Sequence, residues 1–340
     1  MRIIYAGIKN DYLDPKRGNS FEHNNFWGTL KEMEDVEAIY FPIDRILEVG
    51  RDVMNQELLD LIIKEKPDIF FTLLFTEELK FRVLDEIKKY TTSIAWMSDD
   101  HWRFDNYSKY YAPHFTYVVT TYSEAVDWYG SRGLNNVIRS QWACNTKYWY
   151  PLYAEKDIDV SFIGQKTKSR EKIINFLKDS GINVFVRGWG WEEGKASNEE
   201  ILQIIARSKI NLNINSALDF WAKKRLGRLF FKRSVNDIKL SLDVVSNFKS
   251  YINMGIPQIK ARPFELAGCR AFIISGFADD LDKYYKEDEE MVFYRSKEEL
   301  LSKIKIYLLE SRKREEVALA AYSRTLNEHT YEKRFRKIFG

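Results

Sequence analysis

Gln258 to Ser275 reads QIKARPFELAGCRAFIIS, and the rest of the chain is organised around it. Pro263 suits the first turn of a helix, where its missing N–H costs nothing. Gly268 suits the end of one. The run Arg270 to Ser275 then reads as a buried strand. A short helix therefore aims its N-terminus at a loop carrying Lys260 and Arg262. Free N–H groups, the positive end of a helix dipole and two cations at alternating positions make an anion site. Glu265 falls in the first helical turn beside that anion. A carboxylate there cannot serve a phosphate, but it can accept two hydrogen bonds from a vicinal diol such as a ribose. Phosphate and diol together point to a nucleotide. The other reading is a carboxylate that only complements the helix dipole, with Lys260 and Arg262 on solvated surface.

A length of 340 residues predicts two domains of ordinary size. A net charge of only +3 argues against a dedicated nucleic-acid partner. Cys144 and Cys269 lie in apolar surroundings without metal-ligand spacing, as buried thiols of a reducing compartment do. The opening MRIIYAGIKNDYLD has too short an apolar run for a secretory signal. No run approaches the ~20 apolar residues that span a bilayer. The expectation is a cytoplasmic protein.

Strands alternate with helices from the start. Arg2 to Ile8, Val36 to Pro42, Asp68 to Phe75, Ser93 to Met97, Phe115 to Thr120 and Asn136 to Ser140 read as strands. Helical spacing falls between them, with a capping box expected at Thr121 and Glu124. Such alternation predicts a parallel, doubly wound sheet over residues 1–150. Tyr148 to Lys156 reads as a connection. The alternation then restarts, with strands at Asp159 to Ile163, Val184 to Arg187, Ile210 to Ile214 and Met291 to Tyr294, over a second domain at 151–323. Ser197 with Glu200, and Ser296, mark capped helices there. A helical tail follows at 324–340. An insertion of about 216–254 interrupts the second domain. Its segment 221–233 interleaves Lys223, Lys224, Arg225, Arg228, Lys232 and Arg233 with aromatic and aliphatic residues. That pattern suits peripheral contact with an anionic membrane or an acidic acceptor, and equally a helix that packs its apolar side and solvates its charges.

Ligands of open α/β sheets sit beyond the carboxyl ends of strands. Three loops there carry candidate chemistry. Gly164, Gln165 and Lys166, with Arg170 in the following helix, repeat the anion logic of Lys260 and Arg262. Asp100 and His101, after the strand ending at Met97, offer a general base or a sugar-orienting pair, or an ordinary helix N-cap. Trp189 and Trp191 offer a stacking surface for a base or a lid on a glycine-rich turn. Asn213 and Asn215 are cleft-lining or turn residues.

In order, Lys260-Ala261-Arg262-Pro263-Phe264-Glu265, the apolar strand after Gly268, Met291 to Tyr294, the capped helix from Ser296 and Glu328-His329-Thr330-Tyr331 resemble the CgeB-type (spore maturation protein-like) glycosyltransferase family. Trp96 to Asp105, Val118 to Tyr129 and Gln141-Trp142 with Asn145 agree more loosely. The resemblance implies a GT-B fold, with two Rossmann-like doubly wound domains facing across a cleft and a last helix returning to the first. It implies an acceptor site mainly in the N-terminal domain and a nucleotide-sugar site mainly in the C-terminal one. By this resemblance Glu265 matches the second glutamate of the E-x7-E motif in related retaining GT-B enzymes, which holds the ribose. Pro257 stands where the first would be, so the resemblance assigns no stereochemistry.

The expectation is a glycosyltransferase. Gly164, Lys166, Arg170, Lys260, Arg262 and Glu265 would bind a UDP- or GDP-linked sugar without a metal or other cofactor. Asp100 and His101 would serve catalysis toward a glycan, lipid-linked or protein acceptor. Two other readings stand beside it: a non-catalytic assembly or coat protein, and a nucleotide-sugar epimerase on the same fold.

Overall fold

Ile3, Ile4, Tyr5 and Ala6 have no exposed surface, the condition of a strand covered on both faces. In the computed structural model, which describes residues 1–215, 223–235, 237–278 and 280–340, they form the first of thirteen strands among the described residues. These are β1 (Arg2–Gly7), β2 (Glu37–Pro42), β3 (Ile69–Thr72), β4 (Thr92–Met97), β5 (Tyr117–Thr120), β6 (Val137–Arg139), β7 (Ile158–Ile163), β8 (Val184–Arg187), β9 (Ser208–Asn213), β10 (Phe231–Ser234), β11 (Asp237–Leu240), β12 (Ile273–Gly276) and β13 (Val292–Tyr294). They form two parallel sheets and one antiparallel hairpin.

The first compact unit comprises Met1–Gln141, Trp221–Met254 and Phe335–Gly340. Its sheet has the order β2-β1-β3-β4-β5-β6, every pair parallel. The chain leaves β1 toward β2 and returns on the other side at β3. The loops after β1 and β3 therefore diverge and open a crevice, the switch point at which such sheets bind ligands. On one face Phe26, Phe71, Phe335 and Phe339 stack and cross at 5.3 to 5.8 Å, so the end of the chain completes this core. The segment 223–254 contributes a short helix (Lys223–Gly227), the hairpin β10–β11 and a helix (Val244–Asn253). Of the membrane-contact segment expected at 221–233, residues 221 and 222 lie outside the described residues; the rest is one short helix, a turn and a strand rather than one amphipathic helix.

The second unit comprises Trp142–Phe220 and Gly255–Arg334. Its sheet has the order β13-β12-β9-β7-β8, again all parallel. Its switch point lies between β7 and β9. The core beneath includes Val160, Phe162, Ile210, Leu212, Ile274 and Leu300. Here the sequence spoke plainly. Ser197 and Glu200 form a complete capping box, Ser296 caps the helix Lys297–Leu309 and Thr167 caps Lys168–Asp179.

Two expectations are corrected. The helix expected at Thr121 begins at Ala125, and Glu124 makes no side-chain cap; Thr121 extends the loop after β5 instead. The strand expected from Arg270 starts at Ile273, because Arg270 is left-handed at φ 55° and ends the helix Arg262–Gly268. Gly268 is the last residue of that helix, as expected. A Cβ on it would stand 2.3 Å from Cys144 Sγ, so its place is fixed by close packing. Asp279, which with Asp280 reads in the sequence as an ordinary helix start, lies outside the described residues. No helix among the described residues is long and apolar enough to cross a membrane.

Candidate functional site

In the second unit β7 runs out into Gly164, and the helix Lys168–Asp179 starts four residues later. The loop has little room. A Cβ on Gly188 would lie 2.2 Å from the Gly164 carbonyl oxygen, and Gly188 holds φ +139°. Trp191 donates its Nε1–H to that same carbonyl at 3.0 Å. Trp191 therefore closes a glycine turn over the core, while Trp189 is left exposed. Asn213 donates to Ser275 Oγ at 2.8 Å and Asn215 to the Gly276 carbonyl at 2.8 Å, so both tie strand ends together.

Arg170 spans the switch point. Its Nε and Nη2 donate to the Ile214 carbonyl after β9 at 3.3 and 3.2 Å, and its Nη1 to the Gln165 carbonyl at 2.9 Å. Burial lowers its pKa, and the charge of Arg262 lowers it further. The two guanidiniums thus act on one another across the same space. Arg262 stands over the Trp149 ring at 5.1 Å and places Nη1 3.0 Å from Glu265 Oε2. Glu265 is only 5% exposed. Burial pushes its pKa up and Arg262 pulls it down. Gly164, Arg170, Arg262 and Glu265 therefore form one group: two cations, one buried acid, and a glycine that a Cβ would drive against Phe162. Two predicted members stand apart. Lys166 pairs with Glu171 at 2.7 Å, and Lys260 is exposed.

In the first unit β4 ends at Met97, and Asp99 takes a left-handed φ of 63°. That turn sends neighbouring side chains in opposite directions. Asp100 is 0% exposed. Its Oδ2 accepts from Thr120 Oγ at 2.7 Å and from Tyr129 OH at 3.2 Å. Burial raises its pKa to about 6, against the Ser108, Thr120 and Tyr129 hydroxyls that lower it. His101 is buried with its ring 6.0 Å from Tyr122. Asp99 instead lines a cavity of about 790 Å³. A base must reach the proton that it removes, and here the residue on the cavity side is Asp99.

That cavity occupies the first sheet's switch point. Tyr12 comes from the loop after β1, Phe75 and Glu77 from the loop after β3, Trp102 and Arg103 from that after β4, and Arg228 from segment 223–254. Glu22 also lines it, and burial raises its pKa. Reading motif by motif does not find this site, because its residues lie more than two hundred positions apart. The one available signal was the interleaving of Arg228, Lys232 and Arg233 with aromatics. Among the described residues no group of three or more His, Cys, Asp or Glu side chains gathers as a metal site.

A sequence model described as glycosyl transferase-like matches residues 168–340. Comparison with curated protein sequences gives no match. Among solved structures, a glycosyltransferase from Rickettsia africae ESF-5 is similar with TM-score 0.60 and 11% identity, over 99% of this chain and 97% of that one. Sucrose-phosphate synthase from Thermosynechococcus elongatus gives 0.59 and 9%, over 99% of each. HepE from Anabaena, in complex with UDP and glucose, gives 0.59 and 9%, over 99% and 98%. At these identities the likeness shows the fold, which is GT-B: two α/β units, each with its own parallel sheet.

Proposed function

Because the chain belongs to the glycosyl transferase-like family, we propose that it moves a sugar from a nucleotide-diphospho-sugar to a carbohydrate or lipid-linked acceptor. Within that family we place it with the CgeB-type proteins, on the ordered residues from Lys260 to Tyr331. The observation that carries the donor site is the meeting of Arg170, Arg262 and Glu265 beside Gly164 at the second sheet's switch point. Two guanidiniums with mutual repulsion and a single carboxylate favour a polyanion between them. A diphosphate brings that charge, and it gains more as the sugar departs, so the cations stabilise the leaving group without a metal. Glu265 then divides its oxygens between Arg262 and the ribose hydroxyls. Lys166 and Lys260 act from the rim, screened by solvent. UDP and GDP sugars both suit this chemistry.

The acceptor binds in the first unit's cavity. In an inverting reaction Asp99 takes the acceptor proton, and Asp100 and His101 position the turn that presents it. Contact with an anionic membrane is proposed for the outer side of segment 230–252. There Ile238, Leu240, Leu242, Val245 and Phe248 are exposed beside Lys239 and Lys249.

Calorimetric titration of UDP and GDP into the wild type, Arg262→Ala and Glu265→Gln tests the donor site. Loss of a charged contact weakens binding by about tenfold or more. Unchanged affinity in both variants removes the proposed site.

A further inference from the structure

Arg103, Arg228 and Arg233 line the first unit's cavity and are handled in one way. Each lies against an aromatic ring: Arg228 over Trp102 at 4.1 Å, Arg103 over Tyr107 at 4.0 Å, and Arg233 over Tyr12 and Phe75, both at 4.9 Å. Among the described residues none of the three has a carboxylate within ion-pair distance. Arg103 donates to the Phe75 carbonyl, and Arg233 to the Val235 and Tyr12 carbonyls. Lys232, which also lines the cavity, is paired with Glu77 at 2.6 Å.

Ring contact fixes a guanidinium without neutralising it. The ring holds the face of the guanidinium, and the N–H groups not used on backbone carbonyls remain able to donate to a ligand. Arg103 and Arg228 approach the same Trp102 ring, at 5.8 and 4.1 Å; burial and then the charge of Arg103 disfavour the charge of Arg228, and Asp99 favours it. Among the described residues three guanidiniums line one cavity without an ion-paired carboxylate, although Asp99 and Glu22 share its lining, and an incoming anion can take that place. The backbone is strained in the same place. Tyr12 and Val235, neither of them glycine, hold φ of 57° and 51°. Val235 is secured there by its N–H to Thr76 Oγ at 2.8 Å. The loop carrying Thr76 is fixed in turn by buried Glu78, which accepts from the Thr76 N–H at 2.6 Å. The arginine-bearing elements are thus anchored to one another before any ligand arrives.

We propose that this cavity binds a phosphate group, held in the fork of Arg103 and Arg228 with the attached moiety against Trp102. Resting on the transferase reading, the acceptor is therefore phosphate-bearing. Asp99 stands on the turn at the start of the same helix, four residues before Arg103, where the hydroxyl to be glycosylated would lie.

Inorganic phosphate is the probe, titrated calorimetrically into the full chain with UDP saturating. The expected result is binding that weakens about tenfold or more in Arg228→Gln and Arg103→Gln but holds in Arg262→Ala. Arg228→Lys, which keeps the charge and loses the fork, should fall between, and melting curves identify any variant that fails to fold. Competition then identifies the source of the phosphate. Displacement by glucose 6-phosphate marks a soluble sugar phosphate, and displacement only by dodecyl phosphate micelles marks a lipid-borne one. Absence of phosphate binding in the wild type, or equal binding in both folded glutamine variants, overturns the proposal. UDP affinity measured on the same proteins reports separately on the donor site, so failure of one reading is not mistaken for failure of the other.

Discussion

Asp100→Asn should reverse part of this protein's response to pH. The Asp100 carboxyl has an ordinary pKa of 3.8 and is raised to about 6 in the folded chain, chiefly by burial. A carboxyl whose folded value lies above its unfolded one binds its proton more tightly in the native state. Its stabilising contribution is therefore complete below about pH 4 and is lost as pH rises through about 6. The difference between 3.8 and about 6 corresponds to about 3 kcal/mol. Asparagine matches the shape and cannot ionise. It also keeps an oxygen to accept from Thr120 and Tyr129, so the pH-independent cost is about 1 kcal/mol. The assay is urea denaturation of both proteins across about pH 4 to 7.5, followed by a probe of the first unit. The stability difference, wild type minus variant, should fall by about 3 kcal/mol over that interval. A flat or rising difference would show that the carboxyl is neither buried nor destabilised as a charge, and the assignment of Asp100 as a positioning residue would fall with it.

His329 should run the opposite way. Burial, then the charge of Arg334, lowers its pKa from 6.5 to about 4 while its Nε2–H donates to the Tyr284 carbonyl at 2.8 Å. The neutral ring stabilises the fold above about pH 6.5, and about 3 kcal/mol is lost as pH falls toward 4; acid titration of His329→Gln should lack that portion of the decline. Gly268→Ala drives a methyl to 2.3 Å from Cys144 Sγ and 3.3 Å from the Trp149 carbonyl. It should cost about 1 to 3 kcal/mol by thermal melting, and Cys144→Ala should restore part of the loss. An unaltered melting temperature would contradict the packing described around that helix.

The donor-side cluster could be followed in the sequence because its parts are local. Thr167 and Pro263 announce helix starts, and Gly164 announces a tight passage, each through chemistry that acts within a few residues. Lys166 and Lys260 were expected beside Arg170 and Arg262 for the same local reason. Spacing cannot tell which way a long side chain turns, and a nearby Glu171 drew Lys166 aside. Of the adjacent acids Asp99 and Asp100 the sequence reading chose Asp100 as the base. The structure has a left-handed φ at Asp99, puts Asp99 in the cavity lining and buries Asp100.

The sequence alone determined the alternation of strands and helices and the caps at Ser197 and Ser296, since hydrophobic period and capping are written in residues a few positions apart. Only the tertiary structure decided where segment 223–254 belongs and that Tyr12, Trp102, Arg103 and Arg228 share one cavity. Those contacts join residues more than two hundred positions apart. They are set by the order in which strands enter the first sheet, and no periodicity along the chain encodes that order.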